Sequence, residues 1–120
     1  MNNEELQAIV HNTNAMEAAR YKRRTAYTRE LKSFLPTLIK EFKRIDPDVR
    51  KIILFGSLIG DFPVTENSDI DLAVSSDKYL KLVAWALSQN HSIDVIDIDS
   101  ITKTFHDVIS ASGKVLYASQ

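Results

Sequence analysis

The chain has 120 residues, 44% of them hydrophobic and 26% charged, with a formal net charge of −1. That is the size of one domain with one core, and near neutrality excludes a global field that would draw it to nucleic acid or a membrane surface. The absence of cysteine excludes disulfides and thiolate metal sites, so any metal must be held by oxygen or imidazole. No apolar run approaches the ~18–20 residues of a membrane span. Acids at Glu4 and Glu5 stand where a secretion signal carries bases, so a cytoplasmic protein with no membrane partner is expected.

The first half has helical spacing. Glu4 to about Ala19 carries an imperfect apolar stripe of Leu6, Ile9, Val10 and Met16. From about Thr25 to Ile45, Leu31, Phe34, Leu35, Leu38, Ile39 and Phe42 recur at i, i+3, i+4, i+7, i+8 and i+11, a strong amphipathic signal. Pro36 either kinks this segment or marks a new helix capped by Ser33. Asp46-Pro47-Asp48 is a stop.

The second half changes period. Lys51–Phe55 is a short continuous apolar run, as expected of a buried strand. Asp69–Val74 alternates after Glu66-Asn67-Ser68 and predicts a second strand. Asp77 to Gln89 has helical spacing with Asp77 near the cap, and Ser92–Ile98 predicts a third strand. A short helix over about 101–109 follows, then Gly113 as a stop and a terminal Val-Leu-Tyr. The order α-α-β-loop-β-α-β-α describes an α/β (α+β) domain, a small mixed sheet flanked by helices.

Between the first two strands lies FGSLIGDFPVTENSDIDLAV, Phe55 to Val74. Residues i and i+2 of a strand share a face, so Asp69 and Asp71 project together while Ile70 and Leu72 face the core. Two carboxylates so close repel, and each tends to protonate unless a cation sits between them. Hard oxygen ligands suit magnesium, which shares its shell with substrate phosphates. Gly56-Ser57 ends a buried strand at a turn whose N–H groups and hydroxyl can hold a phosphate. A third carboxylate completes a two-metal site for in-line displacement at phosphorus. Asp94, Asp97 and Asp99 are the candidates. Asp94 comes first, flanked by Ile93 and Val95, to bind the second metal and help deprotonate an attacking hydroxyl; Asp97 falls on the opposite strand face. Alone, an Asp-x-Asp is often the wet side of an edge strand, and a Gly-Ser is often an ordinary turn. The conjunction carries the reading.

This pattern of apolar strand, Gly-Ser, about a dozen residues and Asp-x-Asp resembles the signature of the DNA polymerase beta-like nucleotidyltransferase superfamily. Gly60-Asp61 and Ser68-Asp69-Ile70-Asp71-Leu72 look most like the minimal nucleotidyltransferases, as does the closing Ile109-to-Tyr117 stretch. The resemblance spans about Leu35 to Tyr117. It implies the palm-like fold of that superfamily, with Gly56 and Ser57 on the nucleotide triphosphate. Asp69, Asp71 and Asp94 would then be the catalytic acids, holding two Mg2+ ions with ATP as substrate. It also implies an antitoxin role beside a helical HEPN-domain toxin, with AMP transferred to a hydroxyl of that partner. One departure concerns activity more than nucleotide binding. Minimal members commonly show Gly-Ser-x-Ala-Arg-Gly, whereas Ile59 stands in the arginine position here; Arg50, Lys51 and Lys114 are candidate replacements.

Residues 1–30 are expected to form an N-terminal helical extension and residues 31–120 the nucleotidyltransferase domain. Within Arg20–Lys32, bases and the tyrosines Tyr21 and Tyr27 suit either RNA contact or a solvated helix face. Packing of this arm on a partner protein or a second copy is favoured over nucleic acid. His11, His91 and His106 lack metal-ligand spacing. Trp85 is expected in the core, and Phe62-Pro63 shapes the loop. Two alternatives to protein adenylylation remain: a catalytically weak binding module that acts on its partner by contact, and nucleotidyl transfer to a small molecule or an RNA end.

Overall fold

The computed structural model describes residues 2–120. Helix α1 runs without a break over Asn3–Ile45. Asn2 begins it with a reciprocal cap: its side chain accepts from the Glu5 N–H at 2.8 Å, and the Glu5 carboxylate accepts from the Asn2 N–H. The two helices expected from the periodicity are thus one. No glycine or proline lies between Asn3 and Leu35, and the Arg20–Arg24 segment that interrupts the apolar stripe is itself made of good helix formers. Pro36 sits inside the helix and costs it about 3 kcal/mol. Leu31, Leu38 and Phe42 are fully buried around it, each contributing about 1.5–3 kcal/mol, so packing outweighs the proline.

Four strands follow: β1 (Lys51–Phe55), β2 (Ile70–Ser75), β3 (Ile93–Asp97) and β4 (Lys114–Ala118), in the sheet order β3-β2-β1-β4. β1 is antiparallel to both β2 and β4, while β2 and β3 are parallel, joined by the crossover helix α2 (Tyr79–Leu87). The sheet is mixed, as the sequence predicts. Helix α3 (Lys103–Ser112) starts at Thr102, whose side chain accepts from the Phe105 N–H. The terminal Val-Leu-Tyr belongs to β4, which enters the sheet directly from Gly113. A side chain at Gly113 would fall 2.6 Å from both the Ile109 carbonyl and Ile53.

One sheet face carries Ile52, Leu54, Ile70, Leu72, Val74, Ile93 and Val95 against α1 and α2. The other carries Ile53 and Ala73, packed with Ile98 and Ile109 of α3 and flanked by Phe55 and Ile96. Two helices cover the first face. Only one covers the second, which leaves part of it open.

At the start of β1, Arg50 donates to the Ser75 hydroxyl at 2.9 Å, to Asp77 at 3.1 Å and to Asp99 at 3.3 Å, while Ser75 donates to Asp99 at 2.7 Å. Asp77 is therefore no helix cap. Lys78 holds the cap position of α2 without a side-chain bond, and the Ser76 hydroxyl accepts from the Lys78 N–H.

Candidate active site

β1 ends at Phe55, and the chain turns through Gly56 with φ +79°, a region that a side chain disfavours. A Cβ here would fall onto Oδ2 of Asp71 and 3.1 Å from its Cγ. The glycine and the carboxylate therefore occupy one space, and the turn closes over the acid. The 3-10 turn Gly56–Ile59 is pinned by buried Leu58, with Gly56 and Ser57 exposed.

The loop returning to β2 is held largely by α1. Thr28 accepts from the buried Val64 N–H at 2.8 Å, and Tyr27 donates to the Ser68 carbonyl at 3.0 Å. Lys32 reaches the Gly60 carbonyl at 3.2 Å, and Arg23 pairs with Glu66 on the surface. Tyr27 is thus spent on the loop and half-buried, not offered for base stacking, whereas Tyr21 is exposed. Burial, then Asp69, then Glu30 raise the Tyr27 phenol above its ordinary value. Sequence spacing had no signal for these anchors, because the partners lie 41 and 36 positions apart.

Asp69 sits immediately before β2 and Asp71 is its second residue. The registers place Asp71 opposite Phe55 on one side and opposite Asp94 on the other, on the less covered face of the sheet. Asp71 is half-buried and Asp94 exposed. Burial first, then the charges of Asp94 and Asp69, push the Asp71 carboxyl above the usual carboxylate value. Asp71 is thus close enough to feel the charges of both other acids. Among the described residues, no three carboxylate or imidazole side chains have converged into a closed metal-holding group. An all-oxygen set whose half-buried member, Asp71, resists ionisation is the donor chemistry that fits a hard divalent cation.

The other acids of the third strand are used elsewhere. Asp97 accepts from the Asp99 N–H at 3.0 Å and from the Ser100 hydroxyl at 2.9 Å, closing the turn after β3. Asp99 belongs to the Arg50 cluster. The candidate replacements for a loop arginine lie away from the acids. Arg50 and Lys51 are at the far end of β1. Lys114 pairs with Leu54 and points with it to the α1 face, into a cleft of about 210 Å³ shared with Lys32, Leu35, Leu58 and Ile59. Trp85 packs on Phe34 and Phe42 in the core, and His91 lies against Phe34. Tyr79 donates to the Val95 carbonyl at 2.7 Å, bracing β3 beside Asp94.

A family model described as polymerase beta, nucleotidyltransferase, matches residues 37–120. A crystal structure of the toxin–antitoxin MntA-HpeT, a tyrosine-to-alanine mutant, is 26% identical with a TM-score of 0.56; the match covers 71% of this chain and 72% of that one. A second crystal structure of that pair, an aspartate-to-glutamate double mutant, shares the fold at 24% identity and a TM-score of 0.57, over 71% of this chain and 73% of that one. No curated protein matches the sequence. No helix among the described residues is long and apolar enough to cross a membrane. The family match takes in the whole sheet, the Gly-Ser turn and all three acids, and it leaves the first thirty-six residues outside; the chain belongs to the polymerase beta-like nucleotidyltransferase family.

Proposed function

We propose that the chain is a magnesium-dependent nucleotidyltransferase that moves AMP from ATP to a hydroxyl of a HEPN-type toxin, acting as its cytoplasmic antitoxin. The observation that carries this reading is the setting of Asp71: opposite Asp94, packed against Gly56, and with its pKa raised first by burial and then by both neighbouring acids. Asp69, Asp71 and Asp94 would hold two magnesium ions. Bound there, magnesium supplies the positive charge that neutralises the triphosphate and the leaving pyrophosphate.

Gly56 and Ser57 receive the phosphates through a backbone N–H and a hydroxyl on an exposed turn. Phe55 and Phe105, ring centroids 6.2 Å apart, form an apolar floor beside the acids. The acceptor oxygen attacks the α-phosphorus in line, the bond to the bridging oxygen breaks, and pyrophosphate departs. The hydroxyl proton passes to a carboxylate oxygen of Asp94, which is exposed and so open to an incoming partner. The toxin partner is supported by likeness to the toxin–antitoxin structure at 26% identity.

One observation favours a second reading, a weak or inactive module that neutralises its partner by contact. The turn Gly56–Ile59 carries no cation of its own, Arg50 is tied to Asp77 at the far end of β1, and Lys114 lines the cleft beside Leu58 and Ile59 on the sheet face opposite the acids, so electrostatic stabilisation of the transferring group is reduced. The test is transfer of label from α-³²P-ATP, with magnesium, onto proteins that co-purify with the chain, beside Asp69→Asn/Asp71→Asn. A labelled partner that depends on the two acids establishes transfer. An unlabelled partner selects the contact module; no partner and no label points to a small molecule or RNA end as acceptor.

A further inference from the structure

Apart from the exposed pair of Arg23 with Glu66, no side chain in the first six turns of α1 makes a hydrogen bond or ion pair outside the helix. Every residue from Asn2 to Arg23 is exposed, and the helix stretches the molecule to 67 Å by 30 Å by 21 Å. This arm is not a polar rod. Leu6, Ile9, Val10, Met16 and Tyr21 are 49% to 66% exposed, and all lie within roughly 80° of the Leu6 direction at 100° per residue. Leu31 and Phe42 lie about seven and ten turns beyond Leu6 on that same face, and there they are fully buried in the core. The seam that builds the domain runs on, uncovered, past the end of the sheet.

The charges beside the seam select its occupant. Glu4 and Glu5 occupy the first turn, and Arg20, Lys22, Arg23 and Arg24 occupy the base of the arm. Glu5 and Arg23 flank the same side of the seam, and Arg24 lies on the seam itself. A parallel pairing of two arms sets acid against acid and base against base. An antiparallel pairing centred near Thr13 and Asn14 sets the acidic tip of each arm against the basic root of the other, and same-side flanks meet in that orientation. An unrelated helix would need this charge order built in reverse; a second copy of this chain already has it.

We infer that the arm is a homodimerisation element: two copies pair antiparallel through residues 3–24, with Leu6, Ile9, Val10 and Met16 in a two-fold seam and the Glu5 carboxylate against Arg20, Arg23 and Arg24 of the other copy. The contact is isologous, and it places the two catalytic domains at opposite ends of the helix pair.

Light scattering and sedimentation equilibrium on the full chain test this. The native chain gives about 27 kDa, twice its 13.6 kDa. Glu5→Lys alone and Arg20→Glu/Arg23→Glu alone each raise the dimer dissociation constant about tenfold, because attraction turns to repulsion at both symmetry-related sites. An equimolar mixture of the two restores the dimer, which loss of the Glu5 cap could not do. Since the chain has no cysteine, Thr13→Cys cross-links to itself on mild oxidation, whereas Leu6→Cys, far from the two-fold axis, does not. A monomer at every concentration overturns the inference. So do a dimer indifferent to the charge variants, and self-cross-linking of Leu6→Cys as efficient as that of Thr13→Cys. A monomeric chain whose arm is protected only by the toxin assigns the seam to that partner instead.

Discussion

The Tyr27 hydroxyl donates to the backbone carbonyl of Ser68 at 3.0 Å, so the helix that begins outside the family region holds the residue just before Asp69. Without that bond the loop loses one tether and Asp69 loses a fixed approach to Asp71. Tyr27→Phe is expected to cost about 1 kcal/mol of stability, the worth of one part-buried hydrogen bond. Transfer should fall about tenfold, since small misplacements of a reacting group are costly. Thermal unfolding and single-turnover transfer, measured together, check the split.

Asp71→Asn separates stability from chemistry. Burial and the two neighbouring acids raise the Asp71 pKa above 3.8 in the folded chain. The folded state therefore holds this proton more tightly than the unfolded state. The resulting stability is full below the unfolded value and is lost as pH rises through the folded value. At neutral pH the ionised acid works against the fold, so Asp71→Asn is expected to melt higher than the native chain without metal. Magnesium should raise the melting temperature of the native chain and leave the variant unmoved, and transfer by the variant should drop to background. Thermal scans across pH, with and without magnesium, check each statement.

Gly56→Ala is expected to damage both stability and activity. The positive φ costs a side chain about 1–2 kcal/mol, and the new methyl takes the space of the Asp71 carboxylate. Displacing that carboxylate should abolish transfer. Ser57→Ala, at an exposed hydroxyl, should leave the melting temperature within about 1 °C and raise KM for ATP, since surface substitutions are nearly neutral. Paired melting curves and ATP titrations distinguish the two.

Arg50→Met tests the far end of the sheet. Arg50 ties the start of β1 to Ser75, Asp77 and Asp99, all remote from the acid face. A lower melting temperature with unchanged kcat and KM is expected. A loss of transfer larger than the loss of folded protein would return this arginine to the phosphate site.

The sheet was legible where each strand shows its own period. Lys51–Phe55 is a continuous apolar run, and Asp69 and Asp71 alternate with Ile70 and Leu72, so three strands and the carboxylate pair could be read from local order alone. The pairing of Asp94 with Asp71 is a register, and register is set by contacts between strands that no single segment carries. β4 is short and mostly unburied, which leaves little pattern to find. The continuity of α1 was hidden twice, by the basic Arg20–Arg24 stretch that interrupts the apolar stripe and by Pro36, whose local penalty is visible in sequence while the packing that overcomes it is not. Arg50 is adjacent in sequence to the strand that ends at the Gly-Ser turn, yet five residues of strand put it at the wrong end.

An unpacked helix of six turns is near the limit of what backbone hydrogen bonds can sustain in water. Its order depends on what lies along it, whereas the order of the sheet does not. Amide exchange should therefore step sharply at Thr28, the first buried residue of α1: fast on the tip side when the arm is bare, slow when it is covered. Helicity over residues 3–24 becomes a gauge of occupancy, legible by spectroscopy in a molecule whose domain gives a constant signal.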